Sequence, residues 1–192
     1  MMYYPEIHHR QSIRLKEYDY CRSGAYFVTV CAWKKESILG EIENSEMLLN
    51  EYGRIVQEQR NTLPGHFENV TIDEFVVMPN HMHGIITLNS CRGEVSSPPE
   101  PNSKTITISI QGVDTPPVRK PALGQVVAYL KYQSAKKINI IRDTPGMPLW
   151  QRNYYEHIIR DERELHTIRE YIRYNPLKWE EDDENPDSNS SG

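Results

Sequence analysis

Hydrophobic positions along this chain switch repeatedly between a period of two and a period near 3.6, and the switches mark out seven elements. Residues 24–33 crowd aromatic and β-branched side chains and predict a first strand. Asn44-Ser45-Glu46 opens a helical pattern through Leu48, Leu49, Tyr52, Ile55 and Val56 that is predicted to end before Pro64-Gly65. Residues 68–78 predict a second strand, Pro79-Asn80 a turn or bulge, and His81 the start of a third strand. A second helix is predicted over about 122–140, with Val126, Val127, Leu130 and Ile138 inward and Lys131, Lys136 and Lys137 outward. Residues 149–159 predict a fourth strand, and 162–174 a third helix that stops before Asn175-Pro176. The order βαββαβα matches, in its first six elements, the split-βαβ plan. That is an α+β, ferredoxin-like fold, with an antiparallel sheet, helices on one face and an additional C-terminal helix.

Two segments fall outside this pattern. Residues 89–120 hold Ser96-Ser97-Pro98-Pro99 and Pro116-Pro117 and read as a flexible insertion, in which Thr105 to Ile110 alternates well enough for a small edge strand or hairpin. Residues 180–192 carry six acids (Glu180, Glu181, Asp182, Asp183, Glu184, Asp187) and no base, and read as a solvated, disordered tail. The expectation is one domain over 1–179 followed by that tail.

The tail also changes what the net charge of −5 means. Without its six acids, 21 of the 27 remain against 22 bases, so the body is near neutral and a nucleic-acid partner is not excluded. No apolar run approaches the roughly 20 residues of a membrane span, and the N-terminus lacks a signal-peptide core, so a soluble cytoplasmic protein is expected. Cys21, Cys31 and Cys91 are odd in number and widely spaced. They form no disulfide framework and no zinc knuckle, and are read as reduced and structural.

The chemistry concentrates at His81-Met82-His83. Residues two apart on a strand face the same way, so both imidazoles can converge on one divalent cation while Met82 turns inward. Two histidines do not fill a coordination shell. On the last helix Tyr171 and Asn175 are one turn apart and share a face, and Pro176 sets Asn175 at the helix end with its carboxamide oxygen available. A His81, His83, Asn175 set completed by waters and a phosphate oxygen suits Mg²⁺ or Mn²⁺ better than a closed zinc cage. Tyr171 is then placed to act as a nucleophile on that phosphate.

These residues, with Arg14-Leu15-Lys16, Tyr18-Asp19-Tyr20, residues 24–29, Met78 to Gly84, Trp150 to His157 and Tyr171 to Pro176, resemble the REP-associated tyrosine transposases of the single-tyrosine HUH superfamily. The resemblance spans residues 14–179. It implies metal-dependent cleavage and joining of single-stranded or hairpin DNA through a 5′-phosphotyrosine and a free 3′-hydroxyl, at extragenic palindromic repeats. By position it assigns His81, His83 and Asn175 to the metal and Tyr171 to the nucleophile, with Tyr174 the competing phenol. It also favours a monomer, with a homodimer as the alternative. Arg14, Lys16, Arg22, Lys131, Lys136, Lys137 and Arg152 are candidate phosphate contacts, and Tyr154 and Tyr155 are packing or base-stacking residues. His157 is weighed between support of the site and a hydrogen-bonded structural role. His8, His9 and His66 are assigned nothing.

Two other functions fit parts of the pattern. A non-catalytic nucleic-acid-binding module on the same sheet would leave His81, His83 and Asn175 without a purpose. A two-histidine phosphodiesterase would require paired His-x-Thr/Ser motifs, which the chain lacks.

Overall fold

The structure, a computed structural model, describes residues 23–89, 122–182 and 184–186. The 89–120 insertion with its candidate edge strand therefore lies, apart from Asn89, outside the described residues, as do Arg14, Lys16 and Arg22. Strand β1 (Gly24–Cys31) is followed by a hairpin of β2 (Gly40–Glu43) and β3 (Glu46–Leu49), then helix α1 (Glu51–His66), strands β4 (Val70–Val77) and β5 (His81–Leu88), helix α2 (Leu123–Ile141), strand β6 (Tyr155–Ile159) and helix α3 (Glu162–Tyr174). A 3-10 segment, Pro176–Glu181, closes the order.

The main sheet runs β4-β5-β1-β6, with every neighbouring pair antiparallel. With the β2–β3 hairpin set aside as an insertion, this is the ferredoxin-like order predicted from sequence. The strand period divides the core in two. Tyr26, Val28, Val30, Met82, Ile86 and Leu88 face α1 and α2, whereas Phe27 and Ile85 face Ile168 and Ile172 of α3. His81 and His83 alternate with Met82 and so fall on the α3 side.

Three boundaries depart from the sequence reading. Asn44-Ser45 does not open a helix. Both residues have positive φ (50° and 67°) and form the tight turn of the β2–β3 hairpin, because Asn and Ser serve a two-residue turn as readily as a helix start. The true cap is Asn50, whose side chain accepts from the amides of Tyr52 and Gly53. Helix α1 also runs past Pro64 to His66, closing with Phe67 N donating to Leu63 O. The fourth strand is shorter than 149–159. Trp150 makes one bridge to Ala32, and the carbonyls of Gln151 and Arg152 then accept from the Lys131 ammonium at 2.7 and 3.0 Å instead of joining the ladder.

Among the described residues no helix is long and apolar enough to cross a membrane. The Cys31 thiol donates to Glu184 Oε2 at 3.5 Å.

Glycines in α1 give a test of this packing. A Cβ on Gly53 would lie 2.2 Å from the Leu39 carbonyl oxygen, whereas one on Gly65 meets nothing within 4 Å. Gly53→Ala is expected to destabilise by about 1–3 kcal/mol or more. Gly65→Ala should be neutral or stabilising by up to about 1 kcal/mol. Urea unfolding of the two variants reads the contrast.

Candidate active site

Antiparallel pairing sets the histidines. In the β1–β5 register Thr29 lies opposite His83 and Cys31 opposite His81. Thr29 Oγ1 is 2.8 Å from His83 Nδ1, and Phe27 stacks on the His83 ring with centroids 5.4 Å apart. Both imidazoles are buried.

The protonation of His81 follows from its neighbour. The fully buried Asn80 side chain donates through Nδ2 to the carbonyls of Lys35 (3.2 Å) and Glu184 (2.7 Å), so Oδ1 must be the atom 2.8 Å from His81 Nδ1. An amide oxygen only accepts, hence Nδ1 carries the proton and Nε2 a lone pair. Burial pushes the His81 imidazolium down from its usual 6.5 to about 3; the nearby Lys35 charge acts in the same direction, and the neighbouring Asn175 carboxamide opposes it. The ring is therefore neutral at physiological pH. His81 Nε2 faces His83 Nε2 at 3.0 Å. Thr29 can donate to His83 or accept from it, so the second lone pair is also open to a cation.

The third wall comes from the end of α3. Asn175 retains helical angles (φ −59°, ψ −43°) despite Pro176, so the helix passes directly into the 3-10 segment. Its Nδ2 donates to Asp182 Oδ2 at 3.1 Å, while its buried Oδ1 has no hydrogen-bond partner among the described residues. Ligand atoms of His81, His83 and Asp182 lie within 4.8 Å of one another. Two imidazole nitrogens, a carboxylate oxygen and an orphaned amide oxygen form a mixed N/O donor set that could hold a metal ion.

Asp182 was missing from the sequence reading, which placed it in a solvated tail. Residues 180–182 and 184–186 instead wrap the site. Asp182 Oδ1 accepts from Glu184 N at 2.6 Å, Glu184 pairs with Lys35 at 2.7 Å, and Trp179 lies 6.0 Å from the His81 ring. The available signal was Asn-Pro followed three residues later by Trp179, an aromatic that a free tail has no use for.

Tyr171 reaches the histidines from α3. Its phenolic oxygen is 3.4 Å from His83 Nε2, and its ring meets Phe27 and His83 edge-on at 5.9 and 5.2 Å. Tyr174 is about half exposed and, among the described residues, bonds to neither imidazole. Tyr155 packs edge-on against Phe27 at 6.2 Å, and Tyr154 packs against the other core. His157 is structural: its Nε2 is 2.6 Å from Glu164 Oε1, in the first turn of α3.

The register of α3 is held at the sheet edge. Between Ile72 and Phe75, β4 carries an extra residue, so Asp73 and Glu74 together oppose the single Ile85. This bulge turns both carboxylates toward α3. Arg169 binds Asp73 through two nitrogens at 3.0 and 2.5 Å, and Arg173 pairs with Glu74. The two arginines are one turn apart and bracket Tyr171. Sequence reasoning missed this clamp.

Four of the predicted phosphate contacts, Lys131, Lys136, Lys137 and Arg152, fall among the described residues. Lys136, Lys137 and Arg152 are exposed, with α2 and its following loop, on the layer opposite α3. Lys131 is tied to the 151–153 carbonyls. Burial lowers its pKa, and it lines a cleft of about 390 Å³ with Gly124, Ala128, Arg152 and Tyr154.

Comparison with known proteins follows the same lines. The chain is 41% identical over 181 residues to an uncharacterized protein of Haemophilus influenzae, covering 92% of this chain and 93% of that one. It is 27% identical over 169 residues to a second H. influenzae protein, described as "Putative REP-associated tyrosine transposase", covering 83% and 74%. Among solved structures it resembles a REP-associated tyrosine transposase bound to a REP hairpin, with TM-score 0.52 and 19% identity over 82% of this chain and 69% of that one. No protein-family model matches the chain. The fold is that of a solved transposase, and the sequence is similar to that of a protein described as one. In particular, the chain is similar to the REP-associated tyrosine transposases.

Two outcomes are expected. Replacing Arg169 and Arg173 together by alanine should speed hydrogen exchange of the α3 amides and leave the β1–β5 amides unchanged. Acid should also destabilise the metal-free protein through His81. The unfolded ring takes up a proton near 6.5 and the folded ring only near 3, so stability falls as pH drops through that interval. The urea midpoint between pH 7 and pH 4 should fall less steeply in His81→Gln.

Proposed function

We propose that this protein cleaves and rejoins single-stranded or hairpin DNA, with Tyr171 attacking a backbone phosphate. The phenol gives up its proton as its oxygen bonds to phosphorus, the bond to the 3′ oxygen breaks, and that oxygen takes up a proton in turn, leaving a 3′-hydroxyl and a 5′-phosphotyrosine. Attack by a 3′-hydroxyl on the same phosphorus reverses the step and joins strands.

The observation that carries this reading is the 3.4 Å approach of the Tyr171 hydroxyl to His83 Nε2, beside the paired histidines, Asp182 and the unpartnered Asn175 oxygen. Mg²⁺ or Mn²⁺ held by His81, His83, Asn175 and Asp182 would neutralise charge on the phosphate. The chain's own residues do the rest. Phe27 and His83 fix the phenol edge-on, the Asp73–Arg169 and Glu74–Arg173 pairs set the height of α3, and Asn80 and Thr29 orient the imidazoles.

The substrate class is supported by the related transposase whose structure holds a REP hairpin. One chain supplies both phenol and imidazoles, which favours action as a monomer. Work on DNA would place it in the cytoplasm.

A labelled hairpin oligonucleotide with a single-stranded flank, incubated with Mn²⁺ and run on a denaturing gel, tests the reading. Wild type should give a covalent protein–DNA band. Tyr171→Phe should lose it while binding DNA within about threefold of wild type, and Tyr174→Phe should keep it. A band that persists in Tyr171→Phe, or in excess chelator, rules the mechanism out. Asp182→Asn should weaken Mn²⁺ binding, measured by calorimetry, by about tenfold or more.

A further inference from the structure

The DNA-cleavage reading, on which this inference rests, leaves open what holds the strand beside the tyrosine. We propose that Trp33 and Lys34 form a nucleotide-binding subsite at the rim of the histidine site. Trp33 stacks on one unpaired base flanking the scissile phosphate, and Lys34 meets a neighbouring backbone phosphate.

Position comes first. Thr29 and Cys31 lie on the β1 face that meets the histidines, and Cys31 is the register partner of His81. Ala32 continues extended (φ −62°, ψ 155°) and buried, and its N donates to Asn80 O at 2.7 Å, so Trp33 follows directly on the residue that ties β1 to the neighbour of His81.

Exposure comes second. The other two indoles have neighbours: Trp150 is buried and donates to Ser134 Oγ at 2.9 Å, and Trp179 lies beside His81. Trp33 is 41% exposed and makes no ring contact among the described residues. An indole left in water at the edge of a polar site is a ready platform for a base.

The backbone is the third observation. Lys34 and Lys35 are consecutive non-glycine residues in the left-handed region (φ 55° and 57°), a conformation that persists only where neighbours enforce it. Trp33 N donates to Leu149 O at 2.8 Å, Glu36 N to Trp33 O at 3.2 Å, and Asn80 Nδ2 to Lys35 O. The amide that orients His81 thus also pins the turn, so the platform and the imidazole are fixed relative to each other.

Charge separates the two lysines. Lys35 is committed to Glu184, whereas Lys34 is exposed and makes no ion pair among the described residues. An aromatic face beside an unpaired cation is the pairing that holds single strands without reading their sequence.

The test uses full-length protein carrying Tyr171→Phe, to prevent cleavage, and a fluorescein-labelled, mixed-sequence single strand of 12 nucleotides read by anisotropy. Adding Trp33→Ala should weaken binding about tenfold, and Trp33→Phe should restore most of it. Lys34→Ala should weaken binding and make the salt dependence shallower by about one phosphate contact. Mn²⁺ affinity should be unchanged in all three, which separates a lost subsite from a damaged fold. Wild-type affinity in Trp33→Ala, or equal loss in Trp33→Ala and Trp33→Phe, overturns the proposal. If wild type forms no covalent band while Trp33→Ala still loses affinity, the cleavage mechanism fails and the subsite stands.

Discussion

The side-chain amide of Asn80 has three fixed partners and no freedom to turn over. Its two protons go to carbonyls more than a hundred residues apart in sequence, those of Lys35 and Glu184, and its oxygen receives the His81 Nδ1 proton. In a fully buried position each of these bonds is costly to lose, because no water can replace it. One group thereby settles which His81 nitrogen holds the lone pair, where the turn after β1 goes, and where the C-terminal segment lands. Removing it would disturb all three together.

Helix α3 faces a different problem. Its apolar stripe of Leu165, Ile168 and Ile172 presses onto a small patch of sheet around Phe27 and Ile85, and such a contact tolerates rolling and sliding. Partly exposed ion pairs contribute little to stability, but two of them one turn apart specify both rotation and height. The β4 bulge makes this possible by sending two successive carboxylates to one face of the sheet, which a regular strand cannot do. Precision at the phenol is thus set at the edge of the sheet, away from the phenol itself.

The sequence made the histidines and the tyrosine helix legible because both rest on short-range periodicity: two residues along a strand, four along a helix. Asn175 was legible for the same reason. Features that depend on distant pairing were not. Asn44-Ser45-Glu46 satisfies the local rules for a helix start and for a hairpin turn, and only the Ile42–Met47 pairing decides between them. The bulge at Asp73-Glu74 exists only relative to β5. Asp182 and Glu184 sat in a run of like charges whose local character is that of a solvated tail, and their roles come from Asn175, Lys35 and Asn80. The predicted fourth strand was overlong because Leu149 and Trp150 are buried like strand residues, although the carbonyls after them serve a lysine.

The candidate ligands and the braces of the site run from Thr29 to Glu184, with the carboxylates the last of them in sequence. During synthesis on the ribosome the sheet histidines emerge first, and Tyr171 follows 88 residues after His83, with the acidic wrap later still. A chain made only as far as β5 therefore carries imidazoles without the phenol or carboxylate beside them, and the site comes together only when α3 and Asp182 dock on the sheet.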